Sequence, residues 1–221
     1  MTYALGRHVE HDERSRDYAL RVSAAKPKTI LWSHEAPVLD QGSTSSCTGN
    51  ALAQWLNTNY AQAELGEAGH RTGYLIEDNA VELYSAATKL DGIRGVYPPD
   101  DTGSSGLAVC KAGRKLGYLS EYHHAFGFDA LLLALQHSPV IVGTEWTQGM
   151  FDPDSSGVIR PTGSVEGGHE YLVLGCNLEH QLITILNSWS DSWGKHGRAY
   201  ISFKDFGTLL ANQGDCTVPV V

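Results

Sequence analysis

At 221 residues and 24.0 kDa, with 42% hydrophobic residues, the chain is long enough to bury a sizeable core of its own. Its net charge of -9, with no basic run and no aromatic-basic stripe, excludes nucleic acid or an anionic membrane as the main partner. No apolar run reaches membrane-spanning length and residues 1–10 lack the apolar centre of a signal peptide, so a soluble, cytoplasmic product is expected, with later release left open.

The first stretch, Gly6 to about Lys26, is charged on nearly every residue between His8 and Tyr18. Two readings stand: a short inhibitory pro-segment, or an ordered extension packed along the body of the protein. His8 and His11 stand three apart beside acids, but no Cys-x-x-Cys or His-Glu-x-x-His accompanies them, so no metal site is expected. Ser45 or Ser46 can cap a helix running to about Leu65, with Leu52, Leu56 and Tyr60 recurring every four residues and Gly66 ending it. Ile76, Ala80, Leu83, Tyr84 and Ala87 give a second helical stripe closed by Gly92, and Leu107 to Leu116 a third closed by Gly117.

The His123-His124 pair reads as loop. A short apolar stretch, Phe128 to Gln136, then leads into strands at Val140–Thr144, Tyr171–Cys176, Leu182–Leu186 and Ala199–Phe203, punctuated by glycine and proline. Helices followed by antiparallel strands give an α+β chain. It divides into an extension at 1–26, a mainly helical lobe at 27–135 and a β lobe at 136–221. Four cysteines are too few for a disulfide scaffold. Cys110, Cys176 and Cys216 are expected as separate buried thiols, a Cys176–Cys216 bridge being the alternative.

The candidate chemistry starts at Cys47, at the head of the first helix with Gln41 six residues upstream. Helix N-terminal amides carry partial positive charge and favour thiolate over thiol, which would lower this cysteine's pKa. His169 enters a β-type run behind Gly167 and Gly168, which let a substrate backbone come close, and can act as a base. Asn187 ends a strand at the start of Asn187-Ser188-Trp189-Ser190-Asp191-Ser192-Trp193-Gly194-Lys195-His196-Gly197 and can orient that base.

Gln41, Cys47, His169 and Asn187 in this order resemble the papain-like cysteine peptidases from about Asp40 to about Phe203, the Asn-Ser-Trp-x-x-x-Trp-Gly-x-x-Gly run being the most specific part. The resemblance implies a two-lobe fold, a helical lobe carrying the nucleophile and an antiparallel open β-barrel carrying histidine and asparagine, with the active site in the cleft between them. It implies a cysteine endopeptidase needing no cofactor. Cys47 would form the acyl-enzyme, His169 hold the ion pair and deliver the proton, and Asn187 fix the ring. The Gln41 amide and the Cys47 N–H would make the oxyanion hole, while Trp189 shields the His169–Asn187 bond from water or simply fills core. Gly103, Ser104, Gly168, Glu170 and Trp189 are the implied substrate-binding positions.

Glu170 departs from the family, whose members usually carry a small residue there, walling the pocket for the second residue on the acyl side of the cut. Two orientations are open for it: into the pocket, favouring arginine or lysine in a substrate, or away from it, bonded to Lys111 or Arg114. Thr44, Ser45, Ser46 and Thr48 replace the usual surroundings of the nucleophile, so the disulfide of secreted members cannot form. Ser190 and Ser192 stand where glycine is usual. The resemblance also points to a bacterial or phage origin and to a monomer acting on a protein or peptide substrate. Two alternatives use the same fold: a peptidoglycan-peptide hydrolase or acyl transferase with the same dyad, and a catalytically inactive binding module.

Overall fold

The computed structural model describes residues 3–21, 26–70 and 72–221. The nucleophile helix α1 (Cys47–Leu56) is buried along its whole length, between a second helix on one side and a long strand on the other. The expected single helix to Leu65 breaks at Asn57–Thr58. There the Asn57 amide donates to the Leu75 carbonyl at 2.9 Å and accepts from its N–H at 2.7 Å, and Thr58 Oγ1 accepts from the Ala61 N–H to start α2 (Asn59–Glu67). Asparagine and threonine compete for backbone groups in this way, which outweighs the four-residue apolar spacing. Ser46 occupies the N-cap of α1 without capping it, because its hydroxyl is engaged with Thr44 Oγ1 and Asn50 Nδ2.

Helices α3 (Glu77–Ala87) and α4 (Gly106–Lys115) complete the helical layer, α4 being capped by the Ser105 hydroxyl on the Ala108 N–H. Among the described residues seven strands form one antiparallel sheet. They are β1 (Ile30–Leu31), β2 (Glu121–His124), β3 (Val140–Thr147), β4 (Val165–Asn177), β5 (Leu182–Leu186), β6 (Arg198–Ser202) and β7 (Asp215–Val220). Their order is β2-β7-β3-β4-β5-β6, with β1 on β4, and the outer strands β2 and β6 do not meet, so the barrel stays open. The remaining helices are α5 (Phe128–Ala134), where the short apolar stretch was read, and α6 (Phe203–Ala211).

The sheet is buried on both faces, and strand alternation sorts its residues between two cores. Along β4, Leu172 and Leu174 face the helical core with Leu52 and Trp55, whereas Tyr171 and Val173 face the other core with Leu131 and Phe206. Several expectations are corrected here. His123 and His124 lie in β2, paired with Val218 and Thr217 of β7, rather than in a loop. Strand β4 begins at Val165 rather than near Tyr171, so His169 sits inside it opposite Thr144. The last predicted strand ends at Ser202, whose hydroxyl accepts from the Asp205 N–H and starts α6. All four cysteines are buried and free, so no Cys176–Cys216 bridge exists. Among the described residues no helix is long and apolar enough to cross a membrane.

The contact that sets α1 on α3 is Gly49, where any side chain would run into the Ala80 carbonyl and the Tyr84 backbone. Gly49→Ala should therefore destabilise the fold by about 1–3 kcal/mol despite alanine's better helix propensity, read as a lower denaturant midpoint. An unchanged or raised midpoint would show that the two helices have room to part.

Candidate active site

The start of α1 and the middle of β4 bring Cys47 and His169 into one buried site. The backbone N–H groups of Glu170, the residue after the histidine, of Gly6 and of Thr48 lie near enough to the Cys47 sulfur to favour its thiolate form. His169 Nε2 bonds Asn187 Oδ1 at 2.7 Å, and the same oxygen accepts the Ser188 N–H at 2.8 Å. Asn187 leaves the end of β5 held by its own N–H on the Gly197 carbonyl and by Gln54 Nε2 on its carbonyl. The second imidazole nitrogen, Nδ1, is buried with no hydrogen-bond partner among the described residues, free for proton transfer. Trp189 stacks on the imidazole with centroids 4.8 Å apart and planes at 26°, and Trp146 packs edge-on at 4.9 Å. The His169–Asn187 bond is thereby walled by indole, and Trp146 is a part of the site that its sequence surroundings did not announce.

The cleft is filled by the chain's own N-terminal segment. Gly6 and Arg7 donate their N–H groups to the Gly168 carbonyl at 3.1 and 2.9 Å. Ser104 donates its N–H to the Gly6 carbonyl at 2.8 Å and accepts the His8 N–H at 2.7 Å. Gly103 lies against the Gly6 carbonyl so closely that only glycine fits. Gln41 Nε2, the expected oxyanion donor, is bonded to the Ala4 carbonyl at 3.2 Å and to the Thr44 carbonyl at 2.9 Å, with its Oε1 fixed by the Ser188 hydroxyl. Tyr3 stacks on the outer face of Trp189 at 4.4 Å. Both the N–H and the carbonyl of Gly6 are thus spent on the two walls of the cleft.

Glu170 points inward. It is fully buried beside Arg7 and Asp215, while Lys111 pairs with Glu10 at 3.6 Å and Arg114 lies over Tyr122, so the alternative in which Glu170 turned toward those cations is overturned. Ser190 takes a left-handed backbone, φ 66°, which explains why glycine suits that place; its hydroxyl bonds Ser192.

Burial governs the charge of the central pair. It pushes the Cys47 thiol up to about 12, with the Glu170 charge adding to it and the nearby backbone N–H groups of Glu170, Gly6 and Thr48 opposing it. The expectation of a lowered pKa is corrected for this closed state, in which loss of water outweighs the helix terminus. Burial likewise pulls His169 down to about 4 against the favourable Asn187 bond. Above about pH 4 the closed site thus holds a neutral thiol beside a neutral imidazole. Because burial is the largest cause of both shifts, access of water to the cleft would relieve both and favour a thiolate–imidazolium pair.

Residues 99–216, more than half of the chain, match the papain family cysteine proteases; the match spans His169 and Asn187 and begins after Cys47. Xylellain, a cysteine protease from Xylella fastidiosa, superposes with a TM-score of 0.75 at 18% identity over 99% of this chain and 96% of its own. A cysteine protease from Carica candamarcensis, solved in complex with E-64, gives 0.60 at 18% identity over 88% and 99%. Digestive procathepsin L 3 of the Tenebrio molitor larval midgut gives 0.63 at 14% identity over 99% and 76%. Among curated sequences, gamete and mating-type specific protein A of Dictyostelium discoideum is 27% identical over 76% of this chain, and the chain spans 41% of that relative's length.

A side chain at Gly6 would collide with the Ser45 carbonyl, so Gly6→Val should expel the segment. In the unaltered chain, iodoacetamide labelling of Cys47 should be slow at pH 7 and rise about tenfold per pH unit with no plateau up to pH 10; Gly6→Val should label at least about 100-fold faster at pH 7. Equal rates, mapped to Cys47 by peptide mass spectrometry, would contradict a thiol silenced by the segment.

Proposed function

Because this chain belongs to the papain family of cysteine proteases, we propose that it is a cysteine endopeptidase that is latent while its N-terminal segment fills the cleft. The observation that carries the reading is the one contiguous buried set: the Cys47 sulfur one residue from His169, whose Nε2 is held by Asn187 under Trp189. Residues 1–26 form the inhibitory segment, 27–135 the lobe with the nucleophile and 136–221 the lobe with the base.

Once the segment leaves, the proton of Cys47 passes to His169 and the thiolate attacks a substrate carbonyl carbon. Charge moves to the carbonyl oxygen, where Gln41 Nε2 and the Cys47 N–H, at the head of α1, replace the bonds water would offer. The tetrahedral adduct collapses by breaking the C–N bond, and His169 gives its proton to the departing amine. Water, deprotonated by His169, then cleaves the thioester, releasing the acid and restoring the thiol. Asn187 acts as a positioning residue throughout, keeping Nδ1 turned toward the sulfur.

The substrate is a protein or peptide. In the Gly6→Val background, hydrolysis of casein should be lost in Cys47→Ala and keep its level in Cys110→Ala, and Gln41→Ala should lower kcat by about 10²-fold with KM little changed. Turnover persisting in Cys47→Ala would overturn the mechanism. Release of peptides from purified peptidoglycan but not casein would move the activity to wall peptides.

A further inference from the structure

Glu170 is the residue of this site that the mechanism does not use, and it has a partner the sequence did not suggest. Strands β4, β3 and β7 lie side by side, and Gly143 of β3 is opposite Glu170 on one flank and Asp215 on the other. Residues directly opposite in a sheet project to the same face, so two carboxylates stand beside a position with no side chain between them. Any side chain at Gly143, or at Gly106 of α4 facing it, would strike both carboxylates. The result is a walled hole with acid on two sides. Both Glu170 oxygens are buried with no hydrogen-bond partner among the described residues, a costly state for a polar group unless something is meant to enter.

What enters in this structure is the guanidinium of Arg7. Its Nε donates to Asp215 Oδ2 at 3.0 Å, its Nη2 bonds the same carboxylate, and Nη2 also donates to the Gln213 carbonyl at 2.6 Å. The Arg7 side chain is only 1% exposed. These bonds use donors spread over a planar fork, which a single ammonium group cannot reproduce.

We propose that Glu170, Asp215 and the Gln213 carbonyl form an arginine-selective pocket for the second residue on the acyl side of the cleaved bond, and that Arg7 is its occupant in cis. The proposal rests on the peptidase reading for its substrate position and on the pocket alone for its ligand. An apolar side chain would leave the buried Glu170 and the half-buried Asp215 without a cation, so the pocket discriminates by penalty as well as by fit. Burial and the neighbouring Asp215 hold Glu170 well above the usual carboxylate range, which lets one guanidinium neutralise the pocket with one ionised acid. The same bonds anchor the inhibitory segment, so selectivity and latency share one lock.

The test uses the full-length chain carrying Gly6→Val and Arg7→Ala, which displaces the segment and empties the pocket. Fluorogenic peptides differing only in the residue two before the cut should give kcat/KM in the order arginine, lysine, leucine, with arginine above leucine by about 10-fold or more. Adding Asp215→Asn or Glu170→Gln should reduce that ratio by about 10-fold; two variants are used because either could disturb folding. A separate binding measurement, anisotropy of a labelled arginine-containing peptide amide on the same chain with Cys47→Ala, should weaken by a similar factor in Asp215→Asn. Leucine preferred over arginine, or a ratio unmoved by both acid variants, overturns the pocket while cleavage itself upholds the peptidase. Arginine binding that depends on Asp215 with no peptide cleaved upholds the pocket and overturns the peptidase reading.

Discussion

Exclusion of water from around Cys47 and His169 decides the charge of both, and the segment from Tyr3 to His8 closes the cleft over them together with Trp146 and Trp189. A thiolate–imidazolium pair needs solvent or fixed dipoles to be worth its separation of charge. In the closed cleft the dipoles are present, three N–H groups near the sulfur and the Asn187 side-chain oxygen on the ring, yet burial prevails at both residues. The proposed latency would thus be electrostatic as well as steric. The segment fills the cleft beside the thiol and bonds the Gln41 amide through the Ala4 carbonyl, and burial leaves Cys47 and His169 uncharged.

Strand β4 concentrates the rest. Three consecutive residues supply a backbone acceptor at Gly168, the proposed base at His169 and the proposed pocket acid at Glu170, and strand alternation sends the last two side chains to opposite sides. Register does the remaining work. Pairing His169 with Thr144 obliges Glu170 to face Gly143, and the β3–β7 register then brings Asp215 to the same place. A slip of one residue between β3 and β4 would turn the base and the pocket acid to the wrong faces together. The positions of His169 and Glu170 are therefore coupled through backbone hydrogen bonds, without direct contact between their side chains being required.

Much of this was legible in the sequence for physical reasons that are local. The Cys47 helix start, the His169 strand and the Asn187 turn each declare themselves through spacing and turn chemistry, and the helices at α3 and α4 follow their apolar stripes to their caps. What failed to show was non-local. The break at Asn57 depends on Leu75 reaching it; β2 depends on β7 as a partner, since neither strand carries a strong alternating pattern of its own. Asp215 sits far along the chain from Glu170 and joins it only through sheet order. The lowered thiol pKa expected from the helix terminus did not hold, because it is set by burial in a packed cleft that no spacing rule could disclose.

The imidazole of His169 reports the central claim directly. Nuclear magnetic resonance of 15N-labelled histidine, following the His169 ring nitrogens from pH 3 to 9, should show a neutral ring down to about pH 4 in the unaltered chain. With the segment displaced by Gly6→Val, the ring should stay protonated through neutral pH, and that protonation should disappear when Cys47→Ala removes its thiolate partner. A His169 titration at the same pH with the segment in place and displaced would contradict the account.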